Sequence, residues 1–464
     1  MGQSDREGAG VLHSVSPATN DVVATYKKTT PAETGRVVER ADRAFESWRR
    51  TSFGVRAASM RRAADLLEER KERYASLMAL EMGKPLAQGR SEIEKCAWAC
   101  RFFADHAEEF LAAEPAETSA SRSYVAFRPL GVVLGVMPWN FPFWQVVRFA
   151  APALMAGNAC VLKHASNVSG CALAIGEMFH DAGFPEGLFG VLLVGSDEVV
   201  RVLELPRVRA VALTGSSAAG RSIASHAGRL LKKSVLELGG SDPYVVLEDA
   251  DLDLAVEVCA AARLVNAGQS CIAAKRFIVV EPVRDEFTER FTERLRRTRM
   301  GDPMGEGVEM GPLARRDLRD QLHAQVRESV RRGASLALGG EVPPGPGAYY
   351  PPTVLTEVRP GMPAFDEETF GPVAAIVGAR TEAAAIQCAN ESPYGLGAAV
   401  FTRDAARGER IASEAFEAGA CFVNAQVHSD PRLPFGGVKE SGYGRELGSF
   451  GIREFVNVKS VYVR

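Results

Sequence analysis

The chain has 464 residues, 46% hydrophobic and 24% charged, which is enough for two or three domains with their own cores at roughly 150 residues each. A formal charge of -3 gives no electrostatic case for nucleic acid or an anionic membrane. No uninterrupted apolar run approaches membrane-spanning length, and the first ten residues, MGQSDREGAG, are polar and lack the apolar centre of a signal peptide. The eight cysteines (Cys96, Cys100, Cys160, Cys171, Cys259, Cys271, Cys388 and Cys421) contain no CxxC pair. That spacing argues against a disulfide framework or a zinc or other metal site and points to a reducing, cytoplasmic setting.

The predicted elements begin with helices. Thr30, Pro31 and Glu33 read as N-cap, first helical residue and capping-box acid of a helix reaching about Arg50. Residues 55–81 and 86–111 carry apolar positions at helical spacing, interrupted by Gly83 and Pro85. From Val132 onward, short β-rich runs at 131–136, 159–163, 189–193, 209–213 and 234–238 alternate with helices. This pattern predicts an α/β fold with a Rossmann-like, doubly wound parallel sheet. Ligand chemistry in such a sheet gathers at the carboxyl ends of the strands.

A second α/β stretch starts near Pro243, with strands near 275–280 and 397–401 and helices near 283–298 and 312–331. The segments 118–128 and 455–463 are β-prone, and exposed strands of that kind are usually paired with a partner subunit.

Chemistry-bearing residues fall at the predicted strand ends. Glu237 closes an apolar run before Gly239 and Gly240, and Cys271 follows Gly268, Gln269 and Ser270. A thiol that attacks a carbonyl and a carboxylate that activates water together supply a two-step acyl transfer. Asn140, held between Pro138 and Pro142, is placed to donate to a developing oxyanion alongside the Cys271 backbone N–H. Gly215, Ser216 and Gly220 follow a β run and open a helix, a setting in which backbone N–H groups hold a pyrophosphate. Lys163 ends another strand, where it adds a cation near a bound nucleotide.

Taken in order, PWNFP (138–142), the AGN turn with Lys163, TGSSAAG (214–220), ELGG (237–240), GQSC (268–271), EETFGPV (367–373) and PFGGVKESGYGRELG (434–448) resemble the aldehyde dehydrogenase superfamily over essentially the whole chain. The resemblance implies Cys271 as nucleophile, Glu237 as base, Asn140 as oxyanion donor and Glu446 as an acid assisting proton relay. It also implies a nicotinamide cofactor held by Pro138, Trp139, Lys163, Ser166, Gly215, Ser216, Gly220, Leu238, Gly239, Glu368 and Phe370. The expected division is 1–117 with 130–242 as the NAD(P)-binding domain, 243–430 as the catalytic domain, and 118–129 with 450–464 as oligomerisation strands of a homodimer or homotetramer.

Many NAD-preferring relatives carry Pro and then Glu after the strand lysine, whereas this chain reads Lys163, His164, Ala165, Ser166. A glutamate there would repel a 2'-phosphate and Ser166 does not, so NADP is favoured over NAD. The presence of Glu237, which coenzyme-A-acylating relatives do not need, favours a free acid as product. Arg148 lies eight residues after Asn140 and on the helical face of Trp144. Its counterpart anchors the carboxylate in succinate semialdehyde dehydrogenases, the bacterial branch that the chain most resembles. Val265 stands where some relatives place a second arginine, Arg263 is nearby, and Ser429 and His428 are expected to line the same pocket. The expected substrate is therefore a small aldehyde with a distal carboxylate, succinate semialdehyde first. The alternatives are a glutarate-type semialdehyde, a plain aliphatic or aromatic aldehyde, or a non-catalytic relative of the fold.

Overall fold

The computed structural model describes residues 10–464, so all but Gly10 of the polar N-terminal segment lies outside the described residues. An antiparallel hairpin, Val11–Val15 with Val22–Lys27, precedes four helices: α1 (Pro31–Trp48), α2 (Phe53–Glu69), α3 (Lys71–Met82) and α4 (Leu86–Phe110). The capping box opens α1 as read: the Thr30 N–H donates to Glu33 Oε2 at 2.8 Å and the Glu33 N–H to Thr30 Oγ1 at 3.3 Å. The helical stretch 55–81 proves to be two helices. The chain breaks at Arg70 (φ −105°, ψ 14°), whose side chain is pulled to Asp181 at 2.7 Å, and neither Gly nor Pro marks the place.

The first sheet contains β1 (Val132–Met137), β2 (Ala159–His164), β3 (Phe189–Leu192), β4 (Val208–Thr214) and β5 (Lys233–Glu237). Its order is β5-β4-β1-β2-β3, all parallel, with the short strand Gly442–Tyr443 antiparallel on β5. The sequence runs on to both sides of β1, so the doubly wound expectation holds and the switch point lies between β1 and β4. Helices α5 (Trp144–Met155), α6 (Ser169–Asp181) and α7 (Ser217–Arg229) pack with α1–α4 and this sheet into one apolar core.

A second core forms around β6 (Asp242–Val246), β7 (Ala274–Val280), β8 (Thr353–Thr356), β9 (Val373–Ala379), β10 (Gly397–Phe401) and β11 (Ala420–Val423). These strands are ordered β8-β9-β7-β6-β10-β11, again parallel, and Ser335–Leu338 is antiparallel at the β8 edge. The two β-prone segments pair with each other within the chain: Val456–Val463 runs antiparallel to Arg122–Pro129 from Val456↔Pro129 to Val463↔Arg122. The outer strand exposes Val458 and Tyr462. No helix among the described residues is long and apolar enough to cross a membrane.

Helix α5 carries the side chains of interest, and its seating on the sheet depends on Gly135 in β1. A Cβ there would stand 2.5 Å from Phe149 Cε1 of α5, so any larger residue pushes the helix off the strand. Gly135→Ala is expected to lower stability by about 1–3 kcal/mol through overpacking, read as a shift of the urea midpoint at unchanged slope.

Candidate active site

The loop from α8 (Leu252–Leu264) to β7 presents Cys271 through a run of left-handed backbone. Asn266, Ala267 and Gly268 have φ of 52°, 54° and 73°, a conformation that costs energy for residues with a Cβ. Hydrogen bonds hold it. The Asn266 N–H donates to Gln88 Oε1 at 2.8 Å, and Asn266 Nδ2 donates to Asn140 O at 2.7 Å. Arg263, fully buried, donates to Gly268 O at 2.7 Å and Val373 O at 3.2 Å, so it serves the loop and does not face the pocket. A Cβ at Gly268 would meet Gly371 O at 2.2 Å, which leaves room for glycine alone. Lys275 Nζ closes the turn by donating to Ser270 O, Cys271 O and Ala273 O at 2.9, 2.7 and 3.2 Å.

This loop sets Cys271 between two cavities. The first, about 270 Å³, runs along the carboxyl ends of β1, β4 and β5 and is lined by Pro138, Trp139 and Asn140, by Gly215 and Ser216, and by Leu238 and Gly239. Glu368 and Phe370 close its other side, with Phe370 edge-on to Trp139 at 5.7 Å. Glu368 Oε1 accepts the Gly240 N–H at 3.0 Å and stands 3.8 Å from Lys275 Nζ. Gly239 permits that approach, since a Cβ there would lie 2.7 Å from Glu368 Oε2. Ser216 caps helix Ser217–Arg229 by accepting from the Ala219 N–H at 3.3 Å. Gly220 does not line this cavity; a Cβ there would strike Leu238 Cδ1 at 2.5 Å, so it seats the helix against the end of β5. Lys163 and Ser166 stand at the end of β2 and in the turn after it, beyond the residues lining the cavity. The Glu368 carboxylate facing the space, the glycine wall at Gly215 and Gly239, and the capped helix start are donors and acceptors that fit a nicotinamide dinucleotide.

The second cavity, about 370 Å³, lies on the other side of the thiol. Trp144, Arg148, His428 and Ser429 line it, as do Val265 and Lys95. Gln145 and Cys271 line both cavities.

Arg148 is buried and already engaged. Its guanidinium is ion-paired through Nε with Glu446 Oε2, donates to Thr214 Oγ1 at 3.3 Å and lies over Phe435 at 4.9 Å. Glu237 is buried with neither carboxylate oxygen hydrogen-bonded among the described residues. A Cβ on Gly436 would come within 2.7 Å of its Oε1, so the carboxyl rests behind the cavities. Burial, and then the negative charge of Glu446, raise the Glu237 pKa well above the carboxylate range, while Arg148 opposes the rise. Burial also raises Glu446, again against Arg148. The Cys271 thiol is pushed up to about 12 by burial, with Arg148 and Lys275 pulling the other way. One guanidinium thus favours the charged form of all three groups.

Asn140 Nδ2 donates to Gln269 O at 3.1 Å, two residues before the thiol. Its turn is fixed by His164, whose Nε2 donates to Pro142 O at 2.9 Å and whose burial holds the ring neutral with a pKa near 4. Glu92 accepts the Phe143 and Trp144 N–H groups at 2.9 Å each, capping the start of α5, and is ion-paired with the buried Lys84. Lys275, Gln145, Glu92 and Lys95 had no motif to mark them in the sequence. Their only signal was spacing: Lys275 is four residues past the thiol, and Glu92 and Lys95 lie near one face of α4.

A thiol between a cavity at the carboxyl ends of a doubly wound sheet and a second, apolar cavity, with buried carboxyls behind it, defines a site of the dinucleotide-dependent oxidoreductase class. The aldehyde dehydrogenase family model matches residues 4–461, and the chain belongs to that family. It is 50% identical over 452 residues, 97% of this chain and 99% of the other, to a protein of Synechocystis sp. named probable succinate-semialdehyde dehydrogenase [NADP(+)]. It is 48% identical over 456 residues, 97% and 96% of the two chains, to the succinate-semialdehyde dehydrogenase [NADP(+)] of Mycobacterium avium. Among solved structures, succinic semialdehyde dehydrogenase from Streptococcus pyogenes in complex with NADP+ superposes with a TM-score of 0.95 at 37% identity, covering 97% of this chain and 99% of that one.

Removing the guanidinium takes from Glu446 its ion-pair partner and from Glu237 the larger of the two arginine charges that favour its ionised form, the other being Arg445. Arg148→Met is therefore expected to raise the pH at which Glu237 ionises. In the role of base that the resemblance implies, Glu237 works only when ionised, so activity is lost as pH falls through its pKa, and the acid limb of the kcat profile moves to higher pH. An unmoved limb would show that Arg148 does not govern this ionisation.

Proposed function

We propose that the protein oxidises succinate semialdehyde to succinate with NADP+ as the preferred acceptor. The observation that carries the reading is the second cavity, which is apolar around Trp144 and Phe141 yet bears two cations, Arg148 and Lys95, beside the thiol. A cavity of that character accepts a short aldehyde whose far end is anionic, with Ser429 as a further polar contact. The names of the relatives from Synechocystis sp. and Mycobacterium avium support the same substrate and cofactor.

In this reading Cys271 loses its proton and attacks the aldehyde carbon, with Arg148 and Lys275 favouring the thiolate. The thiohemiacetal oxyanion accepts hydrogen bonds from Asn140 Nδ2 and the Cys271 backbone N–H, a donor of this kind contributing about 3 kcal/mol to the transition state. Bound NADP+ supplies a hydride acceptor, and Glu368, Phe370, Gly215, Ser216 and Lys163 are the residues that hold it. Loss of hydride leaves a thioester on Cys271. Glu237, which has no hydrogen bond to give up, turns toward the thioester and takes a proton from water. That water attacks the acyl carbon, the thiolate departs, and the acid is released. Glu446, next to Glu237 in the buried cluster, passes the proton outward.

The division into a cofactor domain (1–117 and 130–242), a catalytic domain (243–430) and a strand element (118–129 and 450–464) belongs to the same proposal. So does a homodimer or homotetramer assembled through the exposed strand Val456–Val463. All eight cysteines are free thiols, which supports a reducing cytoplasm.

Glu237→Gln is expected to keep the first half-reaction and block hydrolysis, giving a burst of one equivalent of NADPH and then no turnover; the burst itself should vanish in Cys271→Ala. Steady-state comparison of NADP and NAD should favour NADP, and Ser166→Glu should reverse that preference by roughly tenfold or more through repulsion of the 2'-phosphate. Equal use of both cofactors by the unmutated enzyme would refute the cofactor assignment.

A further inference from the structure

Of the two cations lining the substrate cavity, only one is spoken for. Arg148 is held by Glu446, Thr214 and the Phe435 face. Its Nε is committed to Glu446 and one Nη2 hydrogen to Thr214, so its charge is already countered by a buried carboxylate, and a second anion gains less there than beside an unpaired cation. Lys95, on α4, is differently placed. Among the described residues no carboxylate lies within ion-pairing distance of its Nζ, which instead donates to Ser429 Oγ at 2.9 Å and rides 4.4 Å above the Trp144 ring. Because Ser429 Oγ accepts from Lys95, its own hydroxyl proton is free to be donated elsewhere. An ammonium and a hydroxyl thus point donors into the same cavity as the thiol, and Trp144 fixes the lysine stem from below. Ser429 is buried, whereas Lys95 is half-buried and the neighbouring His428 and Ser91 are exposed, so the lysine reaches the hydroxyl from the solvent side of the cavity.

We propose that Lys95 Nζ and Ser429 Oγ form the carboxylate subsite, receiving the distal carboxylate of the aldehyde acid while Arg148 stays with Glu446 and the thiol. This rests on the aldehyde-acid reading above and names the residues that enforce it. The charged and titratable groups around Lys95 are Arg148 on α5, Glu92 and Cys96 on its own helix, and Asp430 and His428 beside Ser429. Burial and then the repulsion of Arg148 lower the Lys95 pKa to about 8. The ammonium is the form that binds a carboxylate, so binding is full below that pH and weakens as pH rises through it.

The test compares succinate semialdehyde with butanal, an uncharged aldehyde of the same carbon count, in the unmutated enzyme, Lys95→Met and Lys95→Arg. A charge-assisted hydrogen bond of this kind predicts that Lys95→Met raises KM for succinate semialdehyde roughly ten- to hundredfold and lowers its kcat/KM advantage over butanal by the same factor. Lys95→Arg should restore most of the advantage, and should abolish the rise in KM for succinate semialdehyde that the unmutated enzyme shows above pH 8. If Lys95→Met keeps the advantage, the subsite is wrong while the substrate reading stands. If the unmutated enzyme shows no advantage over butanal, the substrate reading fails and the subsite with it.

Discussion

The left-handed run at Asn266, Ala267 and Gly268 is the constraint on which the site depends. It bends the chain so that Cys271 leaves α8 and meets two cavities at once, and it persists only because other elements hold it. Gln88 comes from α4, Asn140 from the turn after β1, Arg263 from α8 and Gly371 from the approach to β9. The two cores meet at this loop, and the position of the nucleophile is therefore a property of the whole chain.

Around that thiol, charge is rationed. Cys271, Glu237 and Glu446 are buried together, and burial disfavours the charged form of each. Arg148 opposes that effect at all three groups without overcoming it at the thiol or at Glu237, and its ion pair with Glu446 is in place before any substrate arrives. Lys275 helps at the thiol only. The arrangement suits a reaction that needs a thiolate in one half and a carboxylate in the other, since a single fixed cation supports both without being consumed by either.

Much of the architecture was legible from residues alone. The capping box at Thr30 and Glu33, and the alternation of apolar runs with helices from Val132 to Glu237, located α1 and the first sheet to within a residue or two. The break at Arg70 was not legible, because neither glycine nor proline marks it and the apolar spacing runs on through it. The strands Thr353–Thr356 and Ala420–Val423 were too short to stand out from loops. In the site, spacing correctly put Arg148 and Trp144 on one helical face, yet it could not show that a glutamate near the far end of the chain would claim the guanidinium. Gly220 read as part of a phosphate loop because the spacing of small residues there is compatible with one; its actual neighbour, Leu238, is brought up by the sheet. Lys95 and Lys275 are ordinary residues of a helix and a strand until the tertiary fold surrounds them.

Lys275 carries one more implication. Its ammonium is bound to three carbonyls of the thiol turn and stands 3.8 Å from Glu368, so a single buried point charge joins the nucleophile's backbone to the carboxylate that faces the dinucleotide cavity. The nucleophile's turn and the wall of the dinucleotide cavity are therefore tied through one buried side chain, and neither can be repacked without disturbing the other's partner.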